Sequence, residues 1–157
     1  MISFRVVFVC RGNICRSPMA EAAFTYAVER AGLNGQIAVS SAGISSWHVG
    51  ESPDPRAAEV IRQHGYSTVE GSAALKISAE HRDAQLVIAL DRPTYEYLTA
   101  KGFDRSRVRM IGEFGEWDGR LSVADPYHGT LADFESAMRS IESAIPEILR
   151  FAVKNAQ

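Results

Sequence analysis

Ten consecutive residues near the N-terminus concentrate the reactive chemistry of this 157-residue chain: Val9-Cys10-Arg11-Gly12-Asn13-Ile14-Cys15-Arg16-Ser17-Pro18. They follow an apolar, β-branched run and lead into a helix, and they contain both cysteines of the protein. In a strand-to-helix loop of this length the backbone N–H groups can converge with those of the first helical turn on a single anion. Gly12 admits a positive φ or a close approach of the backbone to a ligand. Asn13 tolerates left-handed backbone, and its amide can brace the loop from within. Arg16 supplies a planar fork that grips two phosphate oxygens, which a lysine cannot do in the same way. Cys10 sits at the rim of that electropositive cup, where a thiolate is a nucleophile toward bound phosphorus. Ser17 can donate its hydroxyl to the same sulfur. The phosphate loop of nucleotide hydrolases also joins strand to helix, but its Gly, four residues, Gly-Lys-Ser/Thr pattern does not occur here.

The elements that must hold this loop are legible from patterning. Phe4 to Cys10 reads as a buried strand, and Ser17-Pro18 as a helix start, with Ser17 the N-cap of a helix reaching Arg30 and stopping at Gly32. Gln36 to Ser41 reads as a second strand and Pro55 to His64 as a second helix. Gln85 to Leu90 is a third buried strand, Arg92 to Lys101 a third helix and Arg107 to Ile111 a fourth strand. A long loop from Gly112 to Gly129 precedes a last helix over Leu131 to Val153, with a kink expected near Pro146. Alternating strands and helices predict an α/β fold over 1–157: one domain, a four-stranded parallel sheet with helices on both faces. Ligands of such sheets bind beyond the carboxyl ends of the strands, where Cys10 falls.

Composition narrows the function classes. Hydrophobic residues make up 46% of the chain and charged residues 23%, a packed globular profile. A net charge of −2 gives no general affinity for nucleic acid or anionic membrane, so anion binding must be local. Two cysteines five residues apart are not a disulfide framework. The longest apolar runs fall far short of the ~20 residues that span a bilayer, and Arg5 and Arg11 interrupt any signal-peptide pattern. A cytoplasmic protein without membrane insertion is the expectation. The four histidines, His48, His64, His81 and His128, show no metal-ligand spacing. No metal and no cofactor are expected.

The ten-residue segment resembles the signature of the low-molecular-weight protein tyrosine phosphatases. The resemblance extends over nearly the whole chain through Ser40-Ser41-Ala42-Gly43, Trp47, Pro53-Asp54-Pro55-Arg56, Ala89-Leu90-Asp91 and Asp125-Pro126-Tyr127. It implies Cys10, Arg16 and Asp125 as catalytic residues, with Asp125 protonating the leaving oxygen and then activating water against a phosphocysteine. It implies Arg11, Gly12, Asn13, Ile14, Cys15 and Ser17 as the phosphate loop, Trp47, Tyr127 and His128 around the pocket, and Asn13, Ser17 and Ser41 as the loop's support. It also implies a redox role for Cys15 beside the nucleophile. Phosphotyrosine proteins, opposed by a tyrosine kinase, are the implied partners.

Three positions depart from the pattern. His128 stands where many members carry a second aromatic. Gly71-Ser72-Ala73-Ala74 occupies the stretch in which a His-x-Ala-Arg histidine backs the loop. Arg11 replaces a small or apolar residue and either adds charge at the pocket mouth or is simply solvated. Two other activities share parts of the pattern. An arsenate reductase of this fold would need further cysteines for its disulfide relay, or an external thiol. A phosphocysteine carrier or phosphate-binding module would need no acid at Asp125.

Overall fold

The computed structural model describes residues 1–67, 73–115, 117 and 119–156. Strands β1 (Phe4–Cys10), β2 (Ile37–Gly43), β3 (Leu86–Ala89) and β4 (Val108–Met110) form an all-parallel sheet in the order β2-β1-β3-β4. The register sets Cys10 opposite Gly43 and Val9 opposite both Ala42 and Ala89. Alternation along β1 divides the core. Phe4, Val6, Phe8 and Cys10 face one side, and Val7 and Val9 face the other.

Helices α1 (Arg16–Arg30), α2 (Pro55–Gln63) and α4 (Leu131–Asn155) cover the first face, and α3 (Arg92–Ala100) covers the second. The first face is the larger core. Phe8, Phe24 and Phe134 are fully buried in it, and each such burial contributes about 1.5–3 kcal/mol. The second is built from Val87, Leu98, Phe103 and Met110, with Ile77 and Ala84 from the segment ahead of β3.

Helix starts follow local chemistry. Asp54 caps α2 by accepting from the Arg56 N–H, with Pro55 in the first helical position, and Asp91 caps α3 by accepting from the Thr94 N–H. α1 corrects the expectation. It begins at Arg16 after Cys15, no side chain caps it, and Ser17 lies inside the first turn with its hydroxyl turned into the preceding loop. α4 runs unbroken through Pro146, held by the buried Ile141, Ala144, Ile145 and Ile148 around it. Short 3-10 turns at Ala79–Asp83 and Ile111–Glu113 occupy segments whose sequence shows no period. Among the described residues no helix is long and apolar enough to cross a membrane. Gly71 and Ser72 lie outside the described residues.

β1 is followed by β2 on one side and flanked by β3 on the other, so the chain reverses direction across the sheet at β1. Connections leaving the carboxyl ends of β1 and β3 diverge there and open a crevice.

Candidate active site

The loop from Cys10 to Arg16 wraps that crevice. Its positive φ is at Asn13 (φ 59°), while Gly12 serves the close approach: a Cβ there would lie 2.9 Å from Cδ2 of His48. Gly43 has the complementary duty on β2, since a Cβ would meet Arg11 O and the Gly12 carbonyl carbon, both at 2.9 Å. The loop backbone is tied to the chain after β2 by Ile44 N–H to Cys10 O and Ser45 N–H to Arg11 O, each 3.0 Å.

Behind the loop runs a hydrogen-bond chain whose direction can be worked out. The Leu75 N–H donates to Asn13 Oδ1 at 2.9 Å, which orients the amide. Both protons of Asn13 Nδ2 then go to serines, to Ser17 Oγ at 2.8 Å and Ser41 Oγ at 2.9 Å. Each serine must point its own proton elsewhere. Ser41 donates to Glu21 at 2.6 Å, and Ser17 faces Cys10 Sγ at 3.0 Å. The Ser17 hydroxyl has that sulfur and, at 3.5 Å, the Ala42 carbonyl within reach of its proton, and a thiolate at Cys10 can only accept from it. Burial lifts the Glu21 carboxyl above its ordinary range despite the Ser41 hydroxyl.

Arg16 is 3% exposed, and among the described residues its side-chain hydrogen bonds leave from Nη1. Nη1 donates to Asp91 Oδ2 at 2.8 Å and to Val123 O at 2.9 Å. Nη2 lies 3.6 Å from Asp125 Oδ2, and the buried Nε has no partner among the described residues. The Nε–Nη2 edge is a two-donor fork awaiting an oxyanion. Burial works against the guanidinium charge, but Cys10, Asp91 and Asp125 outweigh it and raise the Arg16 pKa. Burial likewise opposes the Asp91 charge, but Arg16 and the Thr94 hydrogen bond hold that carboxyl below its usual range.

A cavity of about 190 Å³ lies over the loop. Cys10, Arg11, Gly12, Ile14, Cys15 and Arg16 form its floor, and Trp47, Asp125, Tyr127 and His128 its walls. Asn13, Ser17 and Ser41 stand behind the floor instead. Asp125 is 44% exposed on its side chain and accepts from the Tyr127 N–H at 3.1 Å. Trp47 is 73% exposed, with the Arg11 guanidinium 5.3 Å from its ring centroid at the mouth. The Tyr127 and His128 rings meet edge to face at 5.0 Å. Cys15 is a buried free thiol whose pKa burial and then the charges of Asp54, Cys10 and Asp125 push up to about 12.

Several contributors escape a reading of single residues. Ser45 and His48 line the cavity, with His48 bonded to Glu51 at 3.1 Å, and nothing in their spacing marks them. Trp117, by contrast, packs inside its loop, donating to Phe114 O. Asp91 did carry a signal, because it lies two residues past the carboxyl end of β3.

Comparison with known proteins points to one family. The profile of the family described as low molecular weight phosphotyrosine protein phosphatase matches residues 5–157. Low molecular weight protein-tyrosine phosphatase A of Mycobacterium tuberculosis is 46% identical over 143 residues, covering 90% of this chain and 86% of that protein. The crystal structure of YfkJ from Bacillus subtilis superposes with a TM-score of 0.90 at 34% identity, covering 98% of this chain and 97% of the other. A protein tyrosine phosphatase from Entamoeba histolytica gives the same TM-score at 25% identity over 99% and 100% of the two chains. The chain belongs to the low molecular weight protein-tyrosine phosphatase family.

Proposed function

We propose that this enzyme hydrolyses phosphotyrosine in proteins through a phosphocysteine at Cys10. The observation that carries the reading is the buried Arg16, its Nε unpartnered among the described residues and its Nη2 3.6 Å from Asp125, in the same cup as a sulfur 3.0 Å from the Ser17 hydroxyl. Phosphate oxygens take the fork and the loop N–H groups. The Cys10 thiolate attacks phosphorus, the bond from phosphorus to the tyrosyl oxygen breaks, and Asp125 gives that oxygen its proton. Water then attacks the phosphocysteine, Asp125 takes one of its protons, and the sulfur leaves as a thiolate toward the Ser17 hydroxyl. Such a positioned acid contributes about 10²–10⁴-fold. Trp47 and Tyr127 suit the faces of a phenyl ring.

The natural partners on this reading are phosphoproteins modified by a tyrosine kinase. A cytoplasmic setting is favoured because two free cysteines, one of them a working nucleophile, need a reducing compartment. Hydrolysis of p-nitrophenyl phosphate and a phosphotyrosine peptide by wild type, Cys10→Ser and Asp125→Asn tests the mechanism. Cys10→Ser is expected to bind phosphate and lose turnover. Asp125→Asn is expected to lose the decline of kcat/KM at high pH, where the wild-type acid gives up its proton. Turnover surviving in Cys10→Ser removes the covalent route, and an unchanged basic limb in Asp125→Asn removes the acid.

A further inference from the structure

Arg56 does not line the cavity, yet it is bonded to both of its sides. Its backbone N–H and Nε close on Asp54 Oδ1 at 2.8 and 3.0 Å, and Nη2 reaches Asp54 Oδ2 at 2.9 Å. Its other donors cross to the segment carrying Asp125. Nη1 reaches Gly129 O and Nη2 reaches Tyr127 O, each at 2.9 Å. The Tyr127 N–H in turn donates to Asp125 Oδ1 at 3.1 Å, so the backbone of Tyr127 is gripped at its carbonyl by Arg56 and at its N–H by Asp125. On the opposite side, the Asp54 N–H donates to Ile14 O at 2.8 Å, inside the loop that follows Cys10. The guanidinium lies 4.4 Å from the ring centroid of the fully buried Phe134 of α4, which fixes its plane.

Hydrogen bonds run from Ile14 through Asp54, Arg56 and Tyr127 to Asp125, and the 3.6 Å ion pair of Asp125 with Arg16 closes the circuit back to the loop. From it we infer that Arg56 is a positioning residue that sets the separation between the Cys10 loop and Asp125. Asp125 is half-exposed on a segment without regular structure, so its own contacts hold it weakly. Proton transfer to the leaving oxygen needs a heavy-atom distance of about 2.6–3.2 Å, and a 1 Å misplacement costs about 10²-fold. A lysine keeps the charge but cannot grip a carboxylate and two carbonyls together.

The inference rests on the assignment of Asp125 as the acid, and the test separates the two. Wild type, Arg56→Lys, Asp54→Asn, Asp125→Asn and the Arg56→Lys/Asp125→Asn double variant are assayed on aryl phosphates from p-nitrophenyl phosphate to a phosphotyrosine peptide. Inhibition by inorganic phosphate and the melting temperature are measured alongside. Arg56→Lys should lower phosphotyrosine turnover by about 10–100-fold and p-nitrophenyl phosphate turnover much less, because nitrophenolate leaves with little help. Phosphate inhibition should change little, and the effect of Arg56→Lys should nearly vanish once Asp125 is Asn. Asp54→Asn leaves Arg56 in place but slackens it, and should give the same pattern more weakly even if Arg56→Lys folds poorly. An equal loss on every leaving group with weakened phosphate binding makes Arg56 a fold residue only, and overturns the inference. Additivity with Asp125→Asn, or no loss at all, does the same. An Asp125→Asn variant blind to the leaving group removes the acid assignment itself, whatever Arg56 does.

Discussion

Cys15 cannot do what Cys10 does, although the two thiols share one loop. Burial and three neighbouring negative groups hold its pKa at about 12, so at neutral pH it is almost wholly protonated. It is therefore no rival nucleophile, and peroxide should strike Cys10 first. If Cys15 has the redox role that the resemblance implies, its sulfur would attack the Cys10 sulfenic acid, forming a disulfide and releasing water. That attack needs the Cys15 thiolate, whose population rises about tenfold per pH unit below its pKa. Activity recovered by a thiol reductant after peroxide should thus be greater at pH 8.5 than at pH 6.5 in wild type. Cys15→Ser should recover little at either pH, its Cys10 having gone on to sulfinic acid. Equal recovery in the two proteins would end the redox assignment. At this scale residue identities were readable from sequence because Cys10, Asn13, Arg16 and Ser17 lie within one loop. Roles were less so: Ser17 has the residue type and Pro18 neighbour of an N-cap, but Cys15, two residues earlier, holds that position, and the Ser17 hydroxyl faces the Cys10 sulfur instead.

Between elements, a long-range polar cluster joins the end of α2 to α4. His64, just past the last turn of α2, bonds Glu142 at 3.0 Å through Nδ1 and Glu135 at 2.5 Å through Nε2, and the Tyr66 hydroxyl also donates to Glu142. Arg139 competes for Glu135 at 3.5 Å. Burial disfavours the imidazolium, yet the hydrogen bonds and charges of Glu142 and Glu135 outweigh it, and the His64 pKa lies above its ordinary value. A raised pKa gives a stability contribution that is complete below the unfolded value of about 6.5 and is lost as pH climbs through the folded one. His64→Gln should therefore cost about 1 kcal/mol near pH 6 and distinctly less at pH 9, screening keeping the figure small. Urea melts of both proteins at the two pH values decide it, and a cost that grows with pH would refute the clasp. No sequence pattern announces this cluster, because its members are 71 and 78 residues apart. Arg56 escapes for the same reason. Strands and helices were legible because periodicity and capping residues are local, whereas the partners of a side chain are set by packing.

Across the whole molecule, the site draws its parts from every level of the sheet. Cys10 ends β1 and Arg16 opens α1, Ser45 and Trp47 follow β2, Asp91 follows β3, and Asp125 comes from the long segment between β4 and α4. An oxyanion in the cup would join the free edge of Arg16 to the loop backbone, while Nη1 already ties Arg16 to Asp91 and to Val123 O. Binding should accordingly stabilise the fold as one unit, without any chemistry taking place. At a phosphate concentration one hundred times its dissociation constant the gain is about 2.7 kcal/mol. For a chain of this size each kcal/mol moves the melting temperature by about 2–4 °C, so a rise of about 5–10 °C is expected. Arg16→Lys keeps a positive charge but gives up the two-donor edge, and at the same phosphate concentration it should retain only a small part of that rise. The comparison is made between each protein with and without phosphate, so the variant's own loss of the Asp91 and Val123 contacts cancels. Equal rises in both proteins would mean that the loop N–H groups alone hold the anion, and that the buried guanidinium serves to fasten Asp91 and Val123.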